Sequence, residues 1–123
     1  FRPYCEAGAY DVVMPDIKYA GGIHQMQAIS AGCVALGIQV SPHNPSGPIC
    51  HAASLQVSAT LDAFDMLERQ FDESPLFDAL VHAPFGPVVD GSTMLPAGSG
   101  LGVALDEAVL HRHAERPVRR WSC

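Results

Sequence analysis

Three acid or base side chains close short apolar runs, and the intervals between them are nearly equal. Asp16 ends Asp11-Val-Val-Met-Pro-Asp16, His43 ends Ile38-Gln-Val-Ser-Pro-His43, and Glu68 ends Phe64-Asp-Met-Leu-Glu68. The steps of 27 and 25 residues each hold a strand, a loop, a helix and a return loop, the repeat of a (β/α) barrel. Residues at the carboxyl ends of barrel strands face one mouth, so a carboxylate, an imidazole and a second carboxylate are expected to gather there. Such a group is equipped for proton transfer.

A closed eight-stranded TIM barrel usually takes about 200 residues or more. This chain has 123, with three strands at barrel spacing. The expected fold is therefore α/β, part of a barrel. A small complete domain and a self-associating half-barrel are the alternatives. Phe1 to Gly8 reads as the end of an earlier helix.

A net charge of −6, from 13 Asp+Glu against 7 Lys+Arg, disfavours nucleic acid, whose binding is dominated by phosphate neutralisation. No run approaches the roughly 18 apolar residues needed to span a membrane, and the start lacks the pattern of a signal peptide. Cys5, Cys33, Cys50 and Cys123 show neither Cys-x-x-Cys pairs nor metal spacing. Buried reduced thiols at Cys33 and Cys50 and a cytoplasmic protein are expected.

Alternation places Val12, Met14 and Asp16 on one face of the first strand and Val13 on the other, against helices. Gly21-Gly22 breaks the chain before Ile23, Met26, Ile29, Cys33 and Leu36, whose steps of 3 and 4 describe a helix that Gly37 stops. The second strand sets Gln39, Ser41 and His43 toward the mouth. Ser46 is the expected cap of a helix from about Pro48 to Ala59. The third strand, Phe64 to about Phe71, alternates least cleanly and groups Phe64, Met66 and Glu68 on one side. Beyond it come a short helix over Leu76 to Val81, a hairpin turning at Asp90-Gly91, a flexible stretch from Pro96 to Gly102, a brief strand at Val103 to Leu105, and a helix over Glu107 to His113 capped by Asp106.

Plainer roles compete at each position. Asp16 is also placed to cap a turn or helix, His43 to be an ordinary loop histidine, and Glu68, beside Arg69, to be a solvated charge. Lys18 reads as a solvated lysine rather than a group at the mouth. His24, His51, His82, His111 and His113 fall on different elements, against a metal site. Gly98-Ser-Gly100-Leu-Gly102 lacks the spacing and the preceding strand of a dinucleotide loop.

Met14-Pro-Asp16, Gly21-Gly22, Pro42-His43-Asn44 with Gly47-Pro48, Leu67-Glu68 and Gly100-Leu-Gly102 together resemble the C-terminal part of the enolase superfamily. Within it the likeness is to the mandelate racemase/muconate lactonizing enzyme type, particularly its acid-sugar dehydratases, and it runs from about residue 1 to 113. The resemblance implies that residues 1–72 form the sixth to eighth strands of the barrel and that 73–123 return to a capping domain not contained here. Asp16 and His43 would then be the catalytic dyad ending the sixth and seventh strands, and Glu68 the glutamate ending the eighth. The family's catalytic lysine and its Mg²⁺ ligands would lie upstream of Phe1. The implied chemistry is removal of the proton α to a carboxylate and loss of a β-hydroxyl as water from a sugar acid, with racemase, epimerase or cycloisomerase as the alternative on the same scaffold. A homo-oligomer is expected of the full-length protein and inactivity of this chain alone. A non-catalytic fragment or interaction module remains the reading of another class.

Overall fold

Pro15 and Pro42 determine how far the central strands run. The computed structural model describes residues 1–70, 74–82 and 85–115. Strand β1 (Val12–Val13) pairs in parallel with β2 (Gln39–Val40), Val12 opposite Gln39 and Val13 opposite Val40. Beyond the pair, β2 keeps donating: the amides of Gln39, Ser41 and His43 reach the carbonyls of Asp11, Val13 and Pro15. Pro15 has no N–H to return, so the regular ladder ends while the two chains stay side by side. An isolated parallel bridge then joins Asp16 to His43.

The third segment lies along the other edge of β2 without becoming the regular strand expected over Phe64 to Phe71. Val40 bridges Phe64 in parallel; its amide donates to the Ala63 carbonyl, and the Asp65 amide donates to the Val40 carbonyl. The next bond runs from the Glu68 amide to the Pro42 carbonyl at 3.4 Å. Val40 to Pro42 is two steps, Asp65 to Glu68 three, so the segment carries one extra residue, a bulge. This corrects the expected facing: strict alternation groups Glu68 with Phe64, whereas the bulge returns Glu68 to the side of Asp65. Phe71 lies outside the described residues.

Two helices cover one side of these strands. Helices α1 (Arg2–Glu6) and α2 (Ile17–Ala20) precede α3 (Ile23–Val34), and α4 (Pro48–Ser58) follows β2. Val13, Ile17, Met26, Cys33, Ile38, Val40, Val57 and Leu61 form one buried cluster between strands and helices. Met26 and Val40 are completely buried, each worth about 1.5–3 kcal/mol relative to exposure. The opposite face carries Val12 and Met14, both exposed. In α3 the expected stripe holds at Met26 and Cys33, while Leu36 lies past the helix end and is exposed. Helix α4 has Pro48 in its first turn, where a missing N–H costs nothing. Its N-cap is Gly47 rather than the expected Ser46, whose hydroxyl accepts a hydrogen bond from Lys18 Nζ instead.

The remaining chain folds back in short pieces. Helix α5 (Leu76–Ala79) leads to an antiparallel bridge between Val81 and Leu105, and α6 (Glu107–His113) begins where the Asp106 carboxylate accepts from the Val109 amide at 2.9 Å. Asp90 and Gly91 both have positive φ, 49° and 73°, and turn the chain between the bridged Val89 and Ser92. The stretch expected to be flexible is anchored: Gln56 Nε2 of α4 donates to the carbonyls of Pro96 and Leu101 at 3.1 and 3.4 Å. Among the described residues, no helix is long and apolar enough to cross a membrane.

Candidate active site

Asp16 sits where β1 has ended and α2 begins, and its two oxygens do different work. Oδ1 accepts the Lys18 amide at 2.8 Å, capping α2. Oδ2 lies 3.1 Å from His43 Nδ1. The capping role and the pairing role that compete in the sequence therefore coexist on one carboxylate. Its side chain is only 6% exposed, and burial works to raise its pKa. The Lys18 amide, the His43 hydrogen bond and the charges of Lys18 and His43 outweigh that, holding the group below its ordinary value.

His43 is brought to Asp16 by the parallel register, since residues bridged across parallel strands present their side chains to the same face. With Nδ1–H donated to Asp16, Nε2 is the nitrogen left to exchange a proton. It faces Glu68 Oε2 at 4.0 Å, and the imidazole is 43% exposed, open to a ligand on that side. All three residues singled out in the sequence thus meet at the carboxyl ends of their segments.

Asn44, named in the sequence only within Pro42-His43-Asn44, is the residue that positions Glu68. Its amide donates to Glu68 Oε2 at 2.9 Å, and its side-chain Nδ2 donates to the Glu68 carbonyl at 2.9 Å. The same Nδ2 lies 2.7 Å from His51 Nδ1, and Asn44 is 1% exposed. Adjacency to His43 is the one sequence signal that points to it. A second polar set lies one rung deeper on the face of His43: Ser41 Oγ donates to Asp65 Oδ2 at 3.2 Å, and Gln39 Nε2 reaches Asp65 Oδ1 at 3.5 Å. Strand alternation alone puts Asp65 on the opposite face from Glu68, so this acid is missed until the bulge is known.

Lys18 also departs from its expected role. Its Nζ stands 3.8 Å from Asp16 Oδ2 and donates to Ser46 Oγ in the loop after β2. His51, on α4, is buried among the rings of Phe77 and Phe85, with centroids 5.7 and 4.6 Å away. Burial, then the charge of Arg69, depress its pKa to about 4, against a smaller opposing effect of Asp78. His82 Nδ1 lies 3.9 Å from Asp106 Oδ2. Among the described residues no three His, Cys, Asp or Glu side chains gather as a metal-ligand set.

The family described as enolase C-terminal domain-like matches residues 1–109. The chain is 33% identical over 115 residues to D-gluconate dehydratase of Thermoproteus tenax, covering 93% of this chain and 23% of that protein. It is 35% identical over 122 residues to D-galactonate dehydratase of Xanthomonas axonopodis pv. citri (strain 306), covering 95% and 32%. The solved mandelate racemase/muconate lactonizing enzyme from Sulfitobacter sp superposes with a TM-score of 0.82 at 30% identity, covering 94% of this chain and 28% of that one. The chain spans about a quarter to a third of the length of these proteins.

Proposed function

The chain belongs to the enolase C-terminal domain-like family, a family of enzymes, and from that premise we propose that it is the C-terminal barrel portion of an acid-sugar dehydratase. The observation that carries the reading is the 3.1 Å pairing of His43 Nδ1 with Asp16 Oδ2 at the carboxyl ends of parallel strands. Similarity to gluconate and galactonate dehydratases supports a sugar acid as the substrate class.

Removal of the proton α to a carboxylate leaves an enediolate, which then expels the β-hydroxyl. Hydroxide is a poor leaving group, so a proton must reach that oxygen as the C–O bond breaks, giving water and an enol that tautomerises to a 2-keto-3-deoxy acid. In this proposal His43 Nε2 supplies that proton while Asp16 holds the ring by Nδ1. Glu68, fixed by Asn44, flanks Nε2 and lies where the substrate's carboxylate end would approach. Abstraction of the α proton belongs to a base outside this chain.

Enzymes of this superfamily are generally Mg²⁺-dependent. As the resemblance implies, the reading assigns the ligands of the ion, like the base, to a region upstream of Phe1. Residues 73–123 are assigned to the return toward a capping domain.

The test is His43→Asn in an enzyme carrying this chain as its C-terminal part, assayed with Mg²⁺ and a panel of aldonic and aldaric acids for 2-keto-3-deoxy products. Turnover should fall by about 10²–10⁴-fold, the usual worth of a positioned general acid, with substrate binding largely spared. Near-normal turnover would remove His43 from the mechanism. Isomerised acid with no loss of water would move the protein to the racemase class.

A further inference from the structure

Asp16 is a buried carboxylate whose imidazole partner loses its charge each time it gives up a proton. Left with a neutral ring alone, such a carboxylate would take up a proton or turn toward water, because burial disfavours its charge. The structure provides a second cation at the same atom. Asp16 Oδ2, 3.1 Å from His43 Nδ1, is also 3.8 Å from Lys18 Nζ. That ammonium is not a freely swinging surface group: it donates to Ser46 Oγ across the mouth and stands 4.8 Å from the centroid of the Tyr19 ring.

We infer that Lys18 is a positioning residue, a permanent counter-ion that keeps Asp16 ionised and aimed at His43 through both protonation states of the imidazole. The inference rests on the proton-transfer role proposed for His43 and deepens it. Two features of the geometry serve this role. The Lys18 backbone amide holds Oδ1 while its ammonium sits beside Oδ2, so one residue engages both oxygens of the carboxylate. The contact with Ser46 joins the segment after β1 to the loop after β2, the two pieces that deliver Asp16 and His43.

The other titratable groups facing the pair are accounted for. From the third segment, Glu68 presents its carboxylate to His43 Nε2 at 4.0 Å and adds negative charge rather than relieving it. From α4, the Cys50 thiol is held neutral, its pKa raised by burial and then by the charge of Asp16. Burial works to raise the pKa of Asp16, and the charge of Lys18 helps to lower it, after the backbone hydrogen bond from Lys18 and the hydrogen bond with His43. Among the described residues, the ion pairs at Asp16 are those with His43 and Lys18.

The experiment is a carbon-13 NMR titration of the Asp16 carboxyl in the 123-residue chain, for the wild type, Lys18→Met and Lys18→Arg, each with His43 retained or replaced by Gln. Lys18→Met should raise the Asp16 midpoint by about half to one pH unit, and by more when His43 is Gln, because both cations are then gone. Lys18→Arg, which keeps the charge, should restore the wild-type midpoint. Far-UV circular dichroism checks the fold, and Lys18→Gln serves as a second neutral variant if Met disturbs it. An Asp16 midpoint that stays put in the neutral variants on both backgrounds, or one that Arg fails to restore, overturns the inference. If the midpoint responds to Lys18 but His43→Gln alone leaves it untouched, the Asp16–His43 pairing itself fails and takes the inference with it.

Discussion

Lowering the pH from 7 to 4 sets the burial of His51 against its wish to be protonated. The ring is 1% exposed, packed against Phe77 and Phe85, with Nδ1 at 2.7 Å from the side-chain Nδ2 of Asn44. Its pKa in the fold is about 4, against 6.5 for an unperturbed imidazole. The unfolded chain therefore binds a proton that the native chain refuses throughout that window, and stability must fall as the pH drops. The contribution of the neutral ring is complete above about pH 6.5 and is lost progressively toward pH 4. At about 1.4 kcal/mol per pH unit, a gap of about 2.5 units is worth about 3 kcal/mol. Against a typical total of about 5–15 kcal/mol, that is a large share. Urea denaturation followed by circular dichroism at pH 7, 5.5 and 4 would measure it in the wild type and in His51→Gln, which cannot titrate. The variant loses ring contacts at every pH, so the informative quantity is the slope: the wild type should lose about 3 kcal/mol more than His51→Gln across the range. Parallel stability curves for the two proteins would refute the argument.

Met26→Ala should lower stability by about 2–5 kcal/mol in the same urea assay, because Met26 is completely buried between α3 and the strands and its removal leaves a cavity. Gly102→Ala should cost at least about 2 kcal/mol and lower the thermal midpoint by several degrees, since φ there is +74° and a Cβ would stand 2.6 Å from the Pro96 carbonyl oxygen. A Gly102→Ala protein as stable as the wild type would show that the Pro96 to Gly102 stretch is not held as described.

Much of this architecture is legible in the chain because two kinds of signal agree. Apolar steps of 3 and 4 mark α3, Pro48 marks the start of α4, Asp106 caps α6, and Asp90-Gly91 turns the chain between Val89 and Ser92. The convergence of Asp16 and His43 follows from spacing along parallel segments, while that of Glu68 needs the bulge as well. What escapes is set by interactions between segments. The strands are only two residues long as regular ladder because prolines at 15 and 42 withhold amides, and a strand-like composition does not reveal which partner goes unpaired. Ser46 has the right chemistry to cap α4, yet its hydroxyl is claimed by Lys18, 28 residues away. Asn44 gains its role from the bulge opposite Pro42 and Asp65 from the bridge of Val40 to Phe64, neither of which a local pattern announces.

That bulge has a consequence for how the chain tolerates length change. Side chains of an extended segment point alternately to two sides, so orientation is a matter of odd or even count from the last fixed hydrogen bond. Between the Asp65 and Glu68 amides the count is odd against an even count on β2, and this mismatch swings the Glu68 carboxyl into the open space beside His43. Removing Met66 or Leu67 would even the two counts, so the acid would stay on the side of Asp65 in a regular, unbulged segment. A one-codon deletion there would thus remove the bulge and keep the Glu68 carboxyl on the face of His43.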